Sequence, residues 1–252
     1  MRTLTLARDL TRRKARDRDG MFVVEGIRAA EELVRSPLEV VGALAAPQLK
    51  ENARGSAVRD ALLARGTIVS DVTDREFGSA AETESPQGIL IIARTPSRSL
   101  AQFSGRETLR LLILDAVQDP GNVGTLLRTS AALGADASVA LPGTVDVWNA
   151  KVVRSAMGAH FHHDAFHVTW PDLHAFCQAE GVSIWGADAQ GASVATLVAP
   201  PRLALAVGNE GAGLSATVRD AAPTLVSLPI SDVVESLNVA VAAGILLFEL
   251  RR

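Results

Sequence analysis

Leu111-Leu112-Ile113-Leu114 is an unbroken apolar run, followed shortly by Asp119-Pro120-Gly121-Asn122 and a helical pattern. A strand with no polar face must be buried on both sides, as in a parallel sheet covered by helices. Pro120-Gly121 is a tight-turn pair, and Asn122 is a candidate N-cap for a helix over 124–133 closed by Gly134. The same unit then recurs. Strands are expected at 111–114, 137–140, 161–168, 182–187, 203–207 and 225–228, with helices at 147–157, 171–180 and 237–250. Such alternation gives an α/β fold with a mostly parallel sheet whose ligands sit at the carboxyl ends of its strands.

The region before this sheet also alternates. A basic helix is expected over 3–16, then strands at 21–24, 40–45, 67–69 and 88–93, and helices at 27–35, 56–64 and 74–81. Thr95-Pro96-Ser97-Arg98-Ser99 mixes turn formers with a charge, and periodicity fades until Leu109. The expected organisation is a small α/β domain over 1–95, a linker over 96–107 and a second α/β domain over 108–252. A length of 252 residues accommodates both. No internal repeat or low-complexity tract is visible.

The net charge of −3 speaks against nucleic acid when averaged over the chain. The average hides an N-terminal excess: Arg2, Arg8, Arg12, Arg13, Lys14, Arg16 and Arg18 stand against Asp9, Asp17 and Asp19. That run is either a solvated helix face or a phosphate-tracking surface. No apolar leader follows Met1, and the apolar run at 239–248 is about half of a membrane span. The single cysteine, Cys177, forms no internal disulfide and suits a reducing, cytoplasmic setting.

Three loops carry the chemistry. The first, 119–128, contains Asn122, Gly124 and Arg128, with Gly124 leaving room one helical turn before the guanidinium. The second, Gly208-Asn209-Glu210-Gly211-Ala212-Gly213-Leu214, follows an apolar strand, and its glycines allow a ligand close to the backbone. Its order is G-x-x-G-x-G, without the acidic ribose ligand of a dinucleotide fold, and a central carboxylate would repel a pyrophosphate. The third runs from Ser227-Leu228-Pro229-Ile230 to Glu235-Ser236-Leu237-Asn238, where Ser236 and Asn238 are both candidate caps for the last helix. Ala240, Ala242, Ala243 and Gly244 let that helix pack closely in the fold or at a subunit interface. Each loop alone is also compatible with an ordinary strand–turn–helix connection or a glycine-rich turn.

Taken together and in this order, the loops resemble the SpoU (TrmH-type) family of SPOUT RNA methyltransferases. The matching segments are 122–128, 208–214, 227–230 and 236–242. In the first half, Phe22-Val23-Val24-Glu25-Gly26-Ile27-Arg28 and Glu84-Ser85-Pro86-Gln87-Gly88-Ile89 resemble the family's substrate-binding domain. The run Arg154-Ser155-Ala156-Met157-Gly158-Ala159 departs from the family's usual pattern by placing its hydroxyl one position early.

The resemblance implies an L30e-like RNA-holding domain and a SPOUT domain whose C-terminal segment forms a trefoil knot. It further implies a homodimer that transfers methyl from S-adenosylmethionine to an RNA ribose 2′-hydroxyl, with 23S ribosomal RNA preferred. Carried onto this sequence, Arg128, Asn122, Glu210, Ser236 and Asn238 form the catalytic neighbourhood. Ala187, Gly208, Asn209, Leu228, Ile230 and Leu237 hold the cofactor. Arg12, Arg13, Lys14, Arg16, Arg28, Lys151 and Arg154 are candidate RNA contacts. Other readings are a transfer-RNA methyltransferase, a resistance methyltransferase acting on the ribosome, a non-catalytic RNA-binding protein on this fold, or a nicotinamide-dependent oxidoreductase. His160, His162, His163 and His167 invite a metal reading, but no cysteine pair joins them, and no metal is expected. Trp148, Trp170 and Trp185 are read as core residues.

Overall fold

The structure, a computed structural model, describes residues 2–231 and 233–251. Met1 and Arg252, the outer limits of the expected domains, lie outside the described residues, as does Asp232. The chain divides into two compact units. One comprises Met1–Ser97 and Trp148–His162, the other Arg98–Val147 and His163–Arg252.

The first unit opens with α1 (Arg2–Asp9) and α2 (Arg13–Asp19) instead of one basic helix over 3–16. The Thr11 hydroxyl donates to the carbonyl of Arg8 at 2.7 Å, and the Arg16 guanidinium donates to the carbonyls of Leu10 and Thr11 at 2.8 and 2.9 Å. These side chains take carbonyls that a continuous helix would have satisfied itself. The break seats Leu4, Ala7 and Leu10 in a core with Val23, Leu44, Phe77, Leu90 and Ile92.

Strands β1 (Met21–Glu25), β2 (Val40–Ala45), β3 (Val69–Asp71) and β4 (Ile89–Arg94) form a sheet ordered β1-β4-β2-β3. Strand β4 is antiparallel to both neighbours, and β2 and β3 are parallel. Helices α3 (Ile27–Arg35), α4 (Ala53–Ala64) and α5 (Asp74–Gly78) connect them. Helix α4 starts ahead of the expected 56–64 because Asn52 caps it, accepting from the N–H groups of Arg54 and Gly55. A reciprocal Thr73–Glu76 capping box starts α5.

Residues 148–162 add helix α7 (Ala150–Ser155), which packs on β1. It is shorter than the expected 147–157 because Asn149 caps it through the Lys151 N–H at 2.9 Å. Phe22 of β1 meets Trp148 at 4.4 Å and Phe161 at 6.3 Å between ring centroids, while Trp148 meets His160 at 4.9 Å. Met157 at φ 54° and Gly158 at φ 93° turn the chain out of the helix. A Cβ at Gly158 would stand 2.5 Å from that of Glu32, so torsion and close approach both require glycine.

The second unit holds β5 (Leu109–Leu114), α6 (Pro120–Ala132), β6 (Ala137–Ala140), β7 (Asp164–His167), α8 (Trp170–Glu180), β8 (Ser183–Ser193), β9 (Arg202–Val207), α9 (Ala216–Ala221), β10 (Thr224–Ser227) and α10 (Val239–Leu250). The sheet order is β10-β8-β9-β5-β6-β7, and every neighbouring pair is parallel. Leu111, Ile113, Val139, Ile184, Ala204 and Ala206 line one of its buried faces. Trp148 and Trp185 are buried, and Trp170 packs against the core of the second unit.

Several boundaries differ from expectation for local reasons. Asp119, not Asn122, caps α6: its Oδ1 accepts the Asn122 N–H at 2.8 Å, and Pro120 occupies the first turn. Pairing of β8 with β10 jumps from Gly186↔Leu225 to Ala192↔Val226, so residues 187–191 loop out of an otherwise continuous ladder. A 3-10 turn at Ala159–Phe161 shortens β7, and the four histidines therefore do not line one strand. His163 is buried against the Ser138 hydroxyl at 2.9 Å, and His167 accepts the Val147 N–H at 3.3 Å. Among the described residues no three His, Cys, Asp or Glu side chains group as metal ligands.

Candidate active site

Strands β5 and β9 are hydrogen-bonded neighbours, so the loops leaving their carboxyl ends emerge side by side. Helix α10 packs on α6, which brings the segment preceding α10 to the same place. One line of side chains joins the loops. Asn238 Nδ2 donates to Asn122 Oδ1 at 2.9 Å, and Asn122 Nδ2 donates to Glu210 Oε1 at 3.0 Å. The backbone N–H groups of Gln118 and Asp119 reach the two Glu210 oxygens at 3.4 and 3.3 Å. Asn238 also caps α10, its Oδ1 accepting from the N–H groups of Ala240 and Val241 at 2.9 and 3.3 Å. Because Asp119 caps α6, the Asn122 side chain is left for Glu210.

Partial burial acts to raise the Glu210 carboxyl. The hydrogen bonds from the Asn122 side chain and from the backbone N–H groups of Glu210, Asp119 and Gln118 outweigh it and hold the group below the usual glutamate range. Glu210 is thus an anion at neutral pH and a weak proton acceptor, suited to orienting donors.

The glycine loop is drawn tight at its base. Asn209 and Gly213 exchange backbone hydrogen bonds at 2.9 Å each, and a Cβ at Gly208 would lie 2.2 Å from the Gly213 carbonyl carbon. The Asn209 side chain accepts from the N–H groups of Gly211 and Ala212 at 3.0 Å and donates to the Ala116 carbonyl at 3.0 Å. Ala116 holds φ 56°, a left-handed conformation costing about 1–2 kcal/mol for a residue with a Cβ.

Arg128 lies six residues beyond Asn122 on α6, roughly 9 Å along its axis. It is exposed and has no hydrogen-bond or ion-pair partner among the described residues. Ser236 is exposed and stands outside the hydrogen-bonded line. Gly208, Asn209, Leu228 and Leu237 are half-buried, and Ile230 is exposed. Ala187, also half-buried, begins the segment that loops out of β8.

The basic candidates separate. Arg16 is 5% exposed and closes the α1–α2 turn, which removes it from a phosphate-facing surface. Arg12 pairs with Asp9 at 2.5 Å, Arg13 with Asp17 at 3.6 Å, and Arg154 faces the buried Glu25 at 3.9 Å. Lys14, Arg28 and Lys151 are exposed, and among the described residues none of them forms a side-chain hydrogen bond or ion pair, though the charge of Arg28 is felt by Glu31. The Ser155 hydroxyl donates to the Lys151 carbonyl at 2.8 Å, within its own helix.

Residues 110–248 match the model of the SpoU rRNA Methylase family, more than half the chain and all three loops. The chain belongs to the SpoU family. Residues 4–91 match the MRM3-like substrate binding domain. The chain is 36% identical over 240 residues to the Bacillus subtilis 23S rRNA (guanosine(2553)-2'-O)-methyltransferase RlmP, covering 95% of this chain and 92% of that one. The AdoMet-bound rRNA methyltransferase of Sinorhizobium meliloti superposes with a TM-score of 0.85 at 28% identity, covering 99% and 94% of the two chains. The AdoMet complex of the SpoU methyltransferase AviRb from Streptomyces viridochromogenes gives 0.85 at 27% identity, covering 99% and 96%.

Within this SpoU chain, sequence reading missed Asp115 and the N–H groups of Gln118 and Asp119. Backbone donors carry no residue signature. Asp115 stands at the end of an apolar run, where a carboxylate reads as the solvent-facing end of a strand.

Proposed function

We propose that this SpoU chain transfers a methyl group from S-adenosylmethionine to a ribose 2′-hydroxyl of 23S ribosomal RNA. The observation that carries this reading is the line Asn238–Asn122–Glu210, which ties all three family loops together. The names of the relatives supply the substrate class.

The residues present fit the cofactor. Among the described residues, the N–H groups of Leu228, Ile230 and Leu237 make no backbone hydrogen bond outside the helices and strands, and Leu228 and Leu237 are half-buried. Unspent amides beside apolar side chains suit the edge and faces of an adenine. Gly208, Asn209, Ile230 and Ala187 complete the proposed binding set. When bound, S-adenosylmethionine supplies an electrophilic methyl on a sulfonium sulfur.

The acceptor hydroxyl is a poor nucleophile until its proton is weakened. A guanidinium stays protonated at neutral pH and does not remove that proton. Arg128, unpaired among the described residues, instead clamps the adjacent phosphate and stabilises the developing alkoxide, and the proton passes to that phosphate. Glu210, held anionic by N–H donors, orients with Asn122 and Asn238 the groups that align oxygen with methyl. Alignment of this kind supplies roughly 7–11 kcal/mol of barrier reduction. Ser236 lies at the mouth of the same segment and contacts substrate.

In this reading residues 1–95 form an L30e-like domain that holds RNA, 96–107 a linker, and 108–252 the SPOUT domain. The last segment threads a trefoil knot, a topology compatible with β10 at the sheet edge and α10 packed back on α6 and β9. Lys14, Arg28 and Lys151 are the free phosphate contacts, and Arg12, Arg13 and Arg154 exchange their carboxylate partners for phosphate. Val241, Ile245 and Phe248 are 52%, 42% and 38% exposed along one stripe of α10, which supports a homodimer through that helix. A buried lone Cys177 supports a cytoplasmic setting, and no helix among the described residues is long and apolar enough to cross a membrane.

Transfer of labelled methyl from S-adenosylmethionine to unmodified ribosomal and transfer RNA tests the reading. Label in 23S ribosomal RNA, recovered as a 2′-O-methyl nucleoside, is expected. Label confined to transfer RNA would replace the substrate. Cofactor binding without transfer to any RNA would favour a non-catalytic RNA-binding protein.

A further inference from the structure

The Glu210 loop is gripped at its neck by one residue from the adjacent strand end. Asp115 follows β5, and its N–H donates to the Val207 carbonyl at 2.9 Å, immediately before Gly208. Its carboxylate Oδ2 accepts the Ser215 N–H at 2.6 Å, immediately after Leu214. Asp115 is 4% exposed and forms no ion pair among the described residues. Burying a carboxylate without a counter-cation is costly, so its hydrogen bonds must compensate. A charge-assisted bond at this distance is shorter than an ordinary N–H···O contact.

The stretch Asp115 to Asp119 holds the whole loop. Asp115 fixes both ends of the neck, the Ala116 carbonyl receives Asn209, and the Gln118 and Asp119 N–H groups receive Glu210. Gly143 approaches Ala116 closely: a Cβ at Gly143 would stand 3.0 Å from the Ala116 Cβ. We infer that Asp115 is a positioning residue that sets the location of the Glu210 carboxylate through the Ser215 N–H. Its loss frees the Ser215 end of the loop but keeps the backbone bond beside Gly208, so the turnover rate falls while cofactor affinity stays nearly intact. The inference rests on the site proposed above, in which Glu210 orients the reacting groups.

The test is a kinetic cycle on the full chain, measuring kcat, the KM for S-adenosylmethionine and cofactor Kd. Asp115→Ala is expected to lower kcat by about 10–100-fold, the scale of a displaced catalytic group, with KM and Kd changed less than about 3-fold. Asp115→Asn keeps an acceptor for the Ser215 N–H and is expected to recover most of the rate. Asp115→Ala combined with Glu210→Ala should be no slower than Glu210→Ala alone, because both act through one group.

Additive losses, or a loss in cofactor affinity with kcat preserved, would overturn the inference. A normal rate in Glu210→Ala would instead overturn the site reading itself. Should Asp115→Ala fail to fold, the same bond is tested from its donor side. Ser215 sits at φ −60°, which proline accepts, so Ser215→Pro deletes the N–H while Ser215→Ala removes only the helix-capping hydroxyl. Ser215→Pro is expected to be at least about 10-fold slower than Ser215→Ala. Equal rates would contradict the role given to Asp115.

Discussion

Asn238 donates its side-chain amide to Asn122 at 2.9 Å while its carbonyl oxygen caps helix α10. One side chain therefore fixes both where the last helix begins and which way Asn122 faces Glu210. The line has a single direction, since Glu210 is anionic and only accepts. Asn238→Asp keeps the cap and removes the donor. Its melting temperature is expected to stay within about 2 °C of wild type while methyl transfer falls at least tenfold. Asn238→Ala is expected to lose the same activity and about 1 kcal/mol of stability as well. Equal stability losses in the two variants would show that the cap is not separable from the line.

His163 predicts a stability that depends on pH. Burial pushes its imidazole down to about 4, outweighing the opposing pull of Asp164 and Asp136. The folded state holds the neutral ring, so unfolding takes up a proton between that value and the ordinary 6.5. The contribution is fully present above pH 6.5 and is lost as pH falls toward 4, amounting to roughly 3 kcal/mol. Urea titrations at pH 7 and pH 4.5 should show this loss in wild type and a shallower dependence in His163→Gln. Parallel curves for the two proteins would exclude His163 as the source.

The exposed stripe Val241, Ile245 and Phe248 predicts self-association. Ile245→Glu places a charge in its middle and is expected to convert dimer to monomer in sedimentation. Monomeric wild-type protein at micromolar concentration would refute the dimer proposal.

Gly158 predicts a steric limit. Gly158→Ala combines a left-handed φ with a contact of 2.5 Å to Glu32 Cβ, an atom that cannot swing away. A loss of at least about 2 kcal/mol is expected, larger than the 1–2 kcal/mol torsional cost alone. Gly158→Ala in a Glu32→Gly background should recover the steric share, which a melting series measures.

Legibility followed the range of the interactions. The parallel sheet was readable because β5 and β9 are apolar on both faces, and the three loops because together and in this order they resemble those of the SpoU family. The capping of α6 was not, since Asp119 and Asn122 are both good caps and only Pro120 at the first turn decides between them. The break between α1 and α2 depends on Arg16 reaching back to Leu10 and Thr11, which a charge pattern reads as a solvated face. Residues 148–162 continue the helical alternation of the second domain in sequence, but the Phe22–Trp148–Phe161 cluster seats them in the first unit. Aromatic packing across that many residues leaves no local trace. The loop-out at 187–191 was hidden for the same reason, because its register is set by β10.

The most direct test of the central claim is to map alkali-resistant linkages in unmodified 23S ribosomal RNA after incubation with S-adenosylmethionine and either wild-type protein or Arg128→Ala. A methylated 2′-oxygen cannot attack its own phosphodiester, so one new resistant position is expected with wild type and none with the variant. A pattern identical with and without wild-type protein, or a resistant position that Arg128→Ala produces equally well, would contradict the account.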